Sequence, residues 1–471
     1  MMKKILTITL AMSLMGAACN GESVEANNSK AQTTEKTENT ETSVPVAALG
    51  SIKGDMVIKG NFSMKPPQPK VYLWETEGKT NFLLDSAAIT DTGFEFKKRT
   101  YQAGIYRIGL DKMNNMTDLL LNPKDGDLTV NFTGPNVKSN ISFPNSKENI
   151  AWHSYLREKA GIDAQINQLR NQRNQTGNKD LNNTIEAKMN DIIALQRKVA
   201  SENPGTITAK FLGSMSSPKK SDKAKYWDDI DFTDPSYIRS EVLNERIQEF
   251  MRSHSEGKDQ GYYDCINTVN EKSKVNQEVM EYMMFTMLDG FYMSNMENIC
   301  AYILDNMIYG DGCGVELSDY LLKRAAGVQN LRVGNVPPDF TIETDKGGKL
   351  TLSKEVKAHK YTLVMFWSSW CHKCEEEIPQ LIPLYNQYKT KGFQVIGVSL
   401  DNNRQQWIEA VAKKGINFPT VSQLRSWDSP VAKDYRVTAT PVMILLDKQM
   451  KIVSKPMRIF EVKSFLDQNL K

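Results

Sequence analysis

A multidomain chain is predicted, with an antiparallel β region first, a helical region in the middle and an α/β domain at the far end. Three observations predict it. Turn-punctuated alternating segments run from Gly50 to Phe143, apolar residues take helical spacing from Ser146 to about Gln329, and a buried-strand run then meets a helix at a pair of cysteines. At 471 residues the chain exceeds one such unit, and length alone indicates about three domains. The segments drawn are 1–18, 19–48, 49–145, 146–329 and 330–471.

The first segment carries Lys3 and Lys4, an apolar stretch from Ile5 to Met15, and Gly16-Ala17-Ala18 before Cys19. It reads as a secretory signal, too short to span a bilayer. It resembles a bacterial lipoprotein signal, whose cysteine becomes diacylated, although Leu14 lies further upstream than the usual leucine. On this reading Cys19 is the lipidation site, and two acyl chains suffice for stable anchoring. Residues 20–48 are mostly Asn, Ser, Thr, Glu and Lys without an aromatic residue, so they bury too little apolar surface to offset ordering entropy. Such a tether spans roughly 30 Å as a coil and about 100 Å at full stretch.

Net charge is +3, and +1 once Lys3 and Lys4 leave with the signal. Neither a charge excess nor a motif supports nucleic-acid binding.

In the β region, strands are expected at Met56–Lys59, Val71–Trp74, Phe94–Phe96, Ile105–Leu110 and Leu128–Phe132, the last after Asp125-Gly126-Asp127. An antiparallel sandwich or barrel is the economical arrangement. In the helical region, Ile162, Ile166 and Leu169, then Ile185, Met189, Ile192, Ile193 and Val199, mark two long helices that fold back at Gly177-Asn178. Further helices are expected over Tyr237–Met251, Val279–Leu288 and Leu317–Val328.

Met280, Met283, Met284 and Met287 fall at helical spacing. A flexible core stripe accounts for them better than a soft-metal site, because methionine fills irregular interiors. His153 and His254 have no partner at ligand spacing. Cys265, Cys300 and Cys313 are an odd set of thiols: Cys300 pairs with Cys313 across Gly310-Asp311-Gly312, leaving Cys265 free, or all are buried apolar residues.

The chemistry concentrates in Phe366-Trp367-Ser368-Ser369-Trp370-Cys371-His372-Lys373-Cys374-Glu375-Glu376-Glu377-Ile378-Pro379. Tyr361–Trp367 is β-branched and aromatic enough for a buried strand, and Glu375–Tyr388 repeats apolar residues at Ile378, Leu381, Ile382 and Tyr385. Cys371 therefore stands where a strand becomes a helix. Helix N-terminal N–H groups and the dipole favour its thiolate, with a pKa below that of Cys374 and below the free value of about 8.5. Cys371 is the candidate nucleophile, and Cys374, about one turn further on, resolves the mixed disulfide into an internal one. A zinc site would need two more ligands, yet no Cys or His follows Cys374 and His359 is isolated. No metal or cofactor is expected.

With these residues in place, 334–471 resembles the thioredoxin superfamily, in particular the membrane-associated thiol-disulfide oxidoreductases of the TlpA and ResA type. The matching pieces are Gly334-Asn335-Val336-Pro337-Pro338-Asp339-Phe340 as opening strand, Trp370-Cys371-His372-Lys373-Cys374 with Glu377 and Pro379, and Thr440-Pro441-Val442 before a strand over Met443–Leu446. The resemblance implies a cis Pro441 beside the cysteines, with Trp370, Thr440 and Pro441 on the substrate side. Thioredoxin's buried acid two positions before the strand tryptophan is Met365 here, which leaves Glu377, about one helical turn from Cys374, to take its proton. Glu375 and Glu376 are read as acids complementing the dipole. His372 and Lys373 add positive charge beside Cys371 and pull the couple toward oxidation, whereas most relatives are reductants. A looser resemblance ties Gly60, Leu84-Asp85-Ser86 and Gly104-Ile105-Tyr106 to small β domains that precede thioredoxin modules in Bacteroidetes lipoproteins.

The leading expectation is a lipid-anchored thiol-disulfide oxidoreductase on the periplasmic side of the cell envelope, more a reductant than an oxidant. Its partners are protein thiols and disulfides and a membrane electron donor or acceptor. Two alternatives were weighed. A thiol peroxidase shares Pro338-Asp339-Phe340 but needs a Pro-x-x-x-Thr/Ser-x-x-Cys loop, and no proline stands in the segment before Cys371. A non-enzymatic envelope-binding lipoprotein would leave the intact cysteine pair without a use.

Overall fold

The computed structural model describes residues 52–471, apart from 112–114, 135, 217–221, 311–313 and 315. The signal, Cys19, the tether to residue 48 and Cys313 lie outside the described residues. The chain divides after Met287 into two compact units.

The first unit begins with a four-stranded antiparallel sheet in the order Thr80–Ala88, Lys70–Glu77, Gly104–Gly109 and Met116–Leu121. Val71 and Leu73 alternate into the core as a half-buried strand requires, and a register shift at Leu73/Trp74 turns Trp74 inward as well. A smaller sheet orders Phe94–Glu95, Ile58–Gly60 and Leu128–Thr129. Ile58 and Leu128 pair in parallel, so the expected all-antiparallel arrangement is corrected at this point. Parallel pairing is possible here because the two strands are joined by a long excursion through the main sheet rather than a hairpin. Gly60 allows the close approach: a Cβ there would lie 1.6 Å from the Val130 carbonyl oxygen.

Helices Lys147–Thr176 and Leu181–Glu202 form the expected hairpin. Gly177, at φ 69°, ends the first in the left-handed conformation and donates its N–H to Arg173 O. Asn149 locks this helix to the sheet: it accepts from Leu120 N–H at 2.8 Å and donates to Leu120 O at 2.7 Å, as a neighbouring strand would. Buried Glu148 accepts from the N–H groups of Ile207 and Thr208 and so anchors helix Ile207–Met215. These ties place the β region and the helices through Met287 in one unit. Met280, Met283, Met284 and Met287 are all buried.

The second unit contains a five-stranded sheet in the order Thr420–Ser422, Phe393–Ser399, Tyr361–Trp367, Val442–Asp447 and Ile452–Ser454. The first three strands are mutually parallel, and the last two pairings, of Val442–Asp447 with Tyr361–Trp367 and with Ile452–Ser454, are antiparallel. Along the central strand, Leu363, Met365 and Trp367 enter a core beneath helix His372–Tyr388 and the last helix Ile459–Asn469. Val364 and Phe366 enter the opposite core with Ile396, Ile444 and Leu446. A strand buried on both faces reads as a continuous apolar run, as Tyr361–Trp367 does. Helix Asp319–Gln329 precedes Leu331, which joins that second core.

Residues 334–340, expected as a strand, form none. The strand is Thr341–Glu343, paired with Lys349–Thr351. Pro337 and Pro338 have no N–H with which to bond a neighbouring strand, which explains the displacement.

Candidate active site

The central strand ends at Trp367 and the helix starts at His372, leaving Ser368–Cys371 to make the turn. Asp401, just past the end of the adjacent strand, fixes it: its buried carboxylate accepts from Ser369 N–H at 3.1 Å, Ser369 Oγ at 2.6 Å and Ser399 Oγ at 2.7 Å. Cys371 is the helix N-cap, and its Sγ accepts from Cys374 N–H at 3.1 Å. An orphan helix N–H aimed at sulfur stabilises the thiolate once the bond to Cys374 is reduced. The two cysteines are joined in a disulfide with Cα atoms 5.3 Å apart, Cys371 at the edge and Cys374 fully buried.

Thr440 and the cis Pro441 lie against the pair, with Thr440 O 3.4 Å from Cys371 Sγ. The disulfide sulfur has no proton for that carbonyl, whereas the Cys371 thiol has one. Trp370 is 53% exposed and meets the exposed ring of Trp427 edge-on at 5.7 Å.

Of the expected cationic pair, His372 faces Glu375 at 3.7 Å and Glu376 at 3.8 Å, so carboxylates offset any charge it takes on. Lys373 remains as the fixed positive charge within the motif. Met365 is buried in the core beneath the helix. Glu377 is buried too, and its two oxygens accept from Arg458 Nη1 at 2.8 Å and Ile459 N–H at 2.9 Å. The carboxylate one turn from Cys374 is therefore also the N-terminal anchor of the last helix.

Cys300 is a free, buried thiol, and the pairing expected for it rests on Cys313, which lies outside the described residues. Burial pushes Cys300 up to about 12, and burial also raises Cys265, likewise free and buried. Desolvation disfavours both thiolates. Among the described residues, no group of three or more His, Cys, Asp or Glu is placed to hold a metal ion, and no helix is long and apolar enough to cross a membrane.

Residues 333–455 match the AhpC/TSA family. The thiol-disulfide oxidoreductase ResA of Bacillus cereus is 30% identical over 130 residues, which are 28% of this chain and 72% of that protein. This chain belongs to the ResA-like thiol-disulfide oxidoreductases of the thioredoxin superfamily. The oxidoreductase is also 27% identical over 128 residues to ResA of Bacillus subtilis, covering 27% of this chain and 69% of that one. A solved thiol-disulfide oxidoreductase from Bacteroides fragilis is 31% identical, with 29% of this chain and all of that chain covered at a TM-score of 0.28. Residues 1–332 lie outside the family match.

Sequence reasoning singled out Cys371, Cys374, Glu377, Trp370, Thr440 and Pro441, and the fold gathers all six around the start of one helix. It missed Asp401 and Arg458. Asp401 carried a faint signal, an acid at the carboxyl end of a parallel strand, where α/β proteins place their sites. Arg458 carried none.

Proposed function

We propose that this oxidoreductase reduces disulfides of extracytoplasmic proteins while a lipid on Cys19 holds it at a membrane. The observation that carries the reading is the asymmetry of the pair: Cys371 caps the helix beside Thr440 O, and Cys374 is fully buried behind it. Starting from the dithiol, the Cys371 thiolate attacks one sulfur of a substrate disulfide. A Cys371–substrate bond forms, the substrate S–S bond breaks, and the departing thiolate takes a proton from solvent. Cys374 then loses its proton to Glu377 and attacks Cys371 Sγ, which closes the internal disulfide and releases the second substrate thiolate. That thiolate takes up the proton left on Glu377, so the substrate gains two electrons from the dithiol and two protons, one from solvent and one that began on Cys374. A membrane-bound dithiol donor restores the reduced pair.

Replacing Cys374 with Ser removes the resolving thiol and halts the cycle after the first exchange. Cys374→Ser protein recovered from cell envelopes is expected to carry polypeptides in reducible linkage to Cys371, and their identification names the substrates. Recovery of no such adduct, with the same variant still forming one on a model peptide disulfide, would sink the protein-substrate reading.

A further inference from the structure

Beside Pro441 lies a groove of about 320 Å³ lined by Lys373 and by the loop Thr438–Val442, in which Thr440 O is 3.4 Å from Cys371 Sγ. Its far wall is not part of the family match. Tyr292, Met293 and Asn295, at the end of helix Gln277–Met293, form it. Asn295 takes a left-handed φ of 55°, a conformation asparagine tolerates, and the helix stops there. Met293 is consequently left 47% exposed at the groove, which Met457, 64% exposed, also lines.

Several ties hold this wall against the loop. Asp289 pairs with Arg436, and Glu297 pairs with Lys455. The ring of Tyr292 has Lys455 Nζ at 4.4 Å and the Arg436 guanidinium at 5.4 Å from its centroid, both within cation–π range. Thr438 Oγ1 donates to Met293 Sδ at 3.3 Å. Four cations line the groove, but Asp289, Glu297 and Glu377 already answer Arg436, Lys455 and Arg458. Charge is therefore nearly balanced, and the uncommitted surface is apolar: Met293, Met457, Pro441, Val442, Pro456 and Ala439.

We infer that Tyr292 and Met293 are specificity determinants that seat an apolar side chain flanking the reactive cysteine of an extended polypeptide substrate. The inference rests on the protein-disulfide reading above. Continuity with the dithiol identifies the occupant: a chain bonded to Cys371 lies within reach of Thr440, and the groove opens directly from there. Its volume suits one or two side chains rather than a folded surface. Methionine, flexible and polarizable, adapts to different apolar partners.

The test compares kcat/KM for peptide disulfides that differ only in having Leu or Gly on either side of the cysteine, with hydroxyethyl disulfide as a small substrate that does not reach the groove. Wild type is expected to favour the Leu peptides at least tenfold. Met293→Trp, which fills the groove, and Met293→Ala, which removes its wall, are expected to reduce that preference below threefold. Hydroxyethyl disulfide turnover stays within twofold of wild type in both. Equal use of Leu and Gly peptides by wild type, or an unchanged preference in both variants, overturns the assignment. Wild type that turns over hydroxyethyl disulfide but neither peptide would instead defeat the protein-substrate reading on which it rests. The wild-type comparison stands even where a variant does not fold.

Discussion

The carboxylate of Glu377 is shared between Arg458 Nη1, at 2.8 Å, and the backbone N–H of Ile459, at 2.9 Å, so the active-site helix and the last helix meet at one buried side chain. The residue proposed to take the Cys374 proton thus also satisfies an orphan N–H at a helix start.

These two roles separate by substitution. Glu377→Gln keeps an acceptor for Ile459 and is expected to slow disulfide exchange roughly tenfold or more if the carboxylate is the base, with little change in stability. Glu377→Ala leaves the Ile459 N–H buried without a partner and costs about 1–3 kcal/mol in addition. Stopped-flow reduction of a peptide disulfide and denaturant unfolding measure the two effects. Equal exchange rates for Glu377→Gln, Glu376→Gln and wild type would remove Glu377 from the mechanism.

Thiol reactivity should sort by position. In the reduced protein Cys371 is expected to alkylate first, with a half-maximal rate below the free-thiol value of about 8.5. Cys265 and Cys300, buried and raised, should stay unmodified at pH 7–9 until the chain unfolds. Mass mapping after pulsed iodoacetamide gives the order, and a Cys374 that reacts ahead of Cys371 would reverse the assigned roles.

His153 provides a pH signature in the first unit. Burial lowers its pKa below 6.5, against the opposing hydrogen bond to Asp118 O at 2.9 Å and the Asp118 charge, and Arg157 adds to the lowering. Below pH 6.5 the unfolded chain takes up a proton that the folded chain refuses, so stability drops with pH until the folded-state pKa is passed. Unfolding midpoints of wild type should therefore fall more steeply between pH 7 and 5 than those of His153→Gln, which lacks the titrating ring. Parallel slopes would show that other groups set the acid limit.

Anchoring is tested by location. Wild-type protein is expected in the membrane fraction with the mass of a diacylated Cys19, and Cys19→Ser in the soluble fraction. Membrane-bound Cys19→Ser protein of unchanged mass after signal removal would end the lipoprotein reading.

The strand Tyr361–Trp367, the helix that follows and the helical hairpin at Gly177 were legible because each is written in contiguous residues. Apolar periodicity, a cysteine pair at one-turn spacing and a left-handed glycine declare themselves within a few positions. The opening strand, assigned to 334–340 from the family resemblance, lies later in the chain because Pro337 and Pro338 have no N–H to offer a neighbouring strand. The parallel pairing of Ile58 with Leu128 had no local sign, since neither strand's pattern says which way its neighbour runs.

By itself the sequence placed the cysteine pair, with Cys371 at a helix start and Cys374 one turn behind it, and set Thr440-Pro441 just before a later strand. Only the tertiary structure decided what surrounds that chemistry. Asp401 reaches Ser369 across 32 positions, Arg458 reaches Glu377 across 81, and Asp289 reaches Arg436 across 147. Periodicity and turn preferences act over a few residues and leave a pattern in the chain. Contacts over such separations are selected by how helices and strands pack, and nothing in either local segment marks its partner.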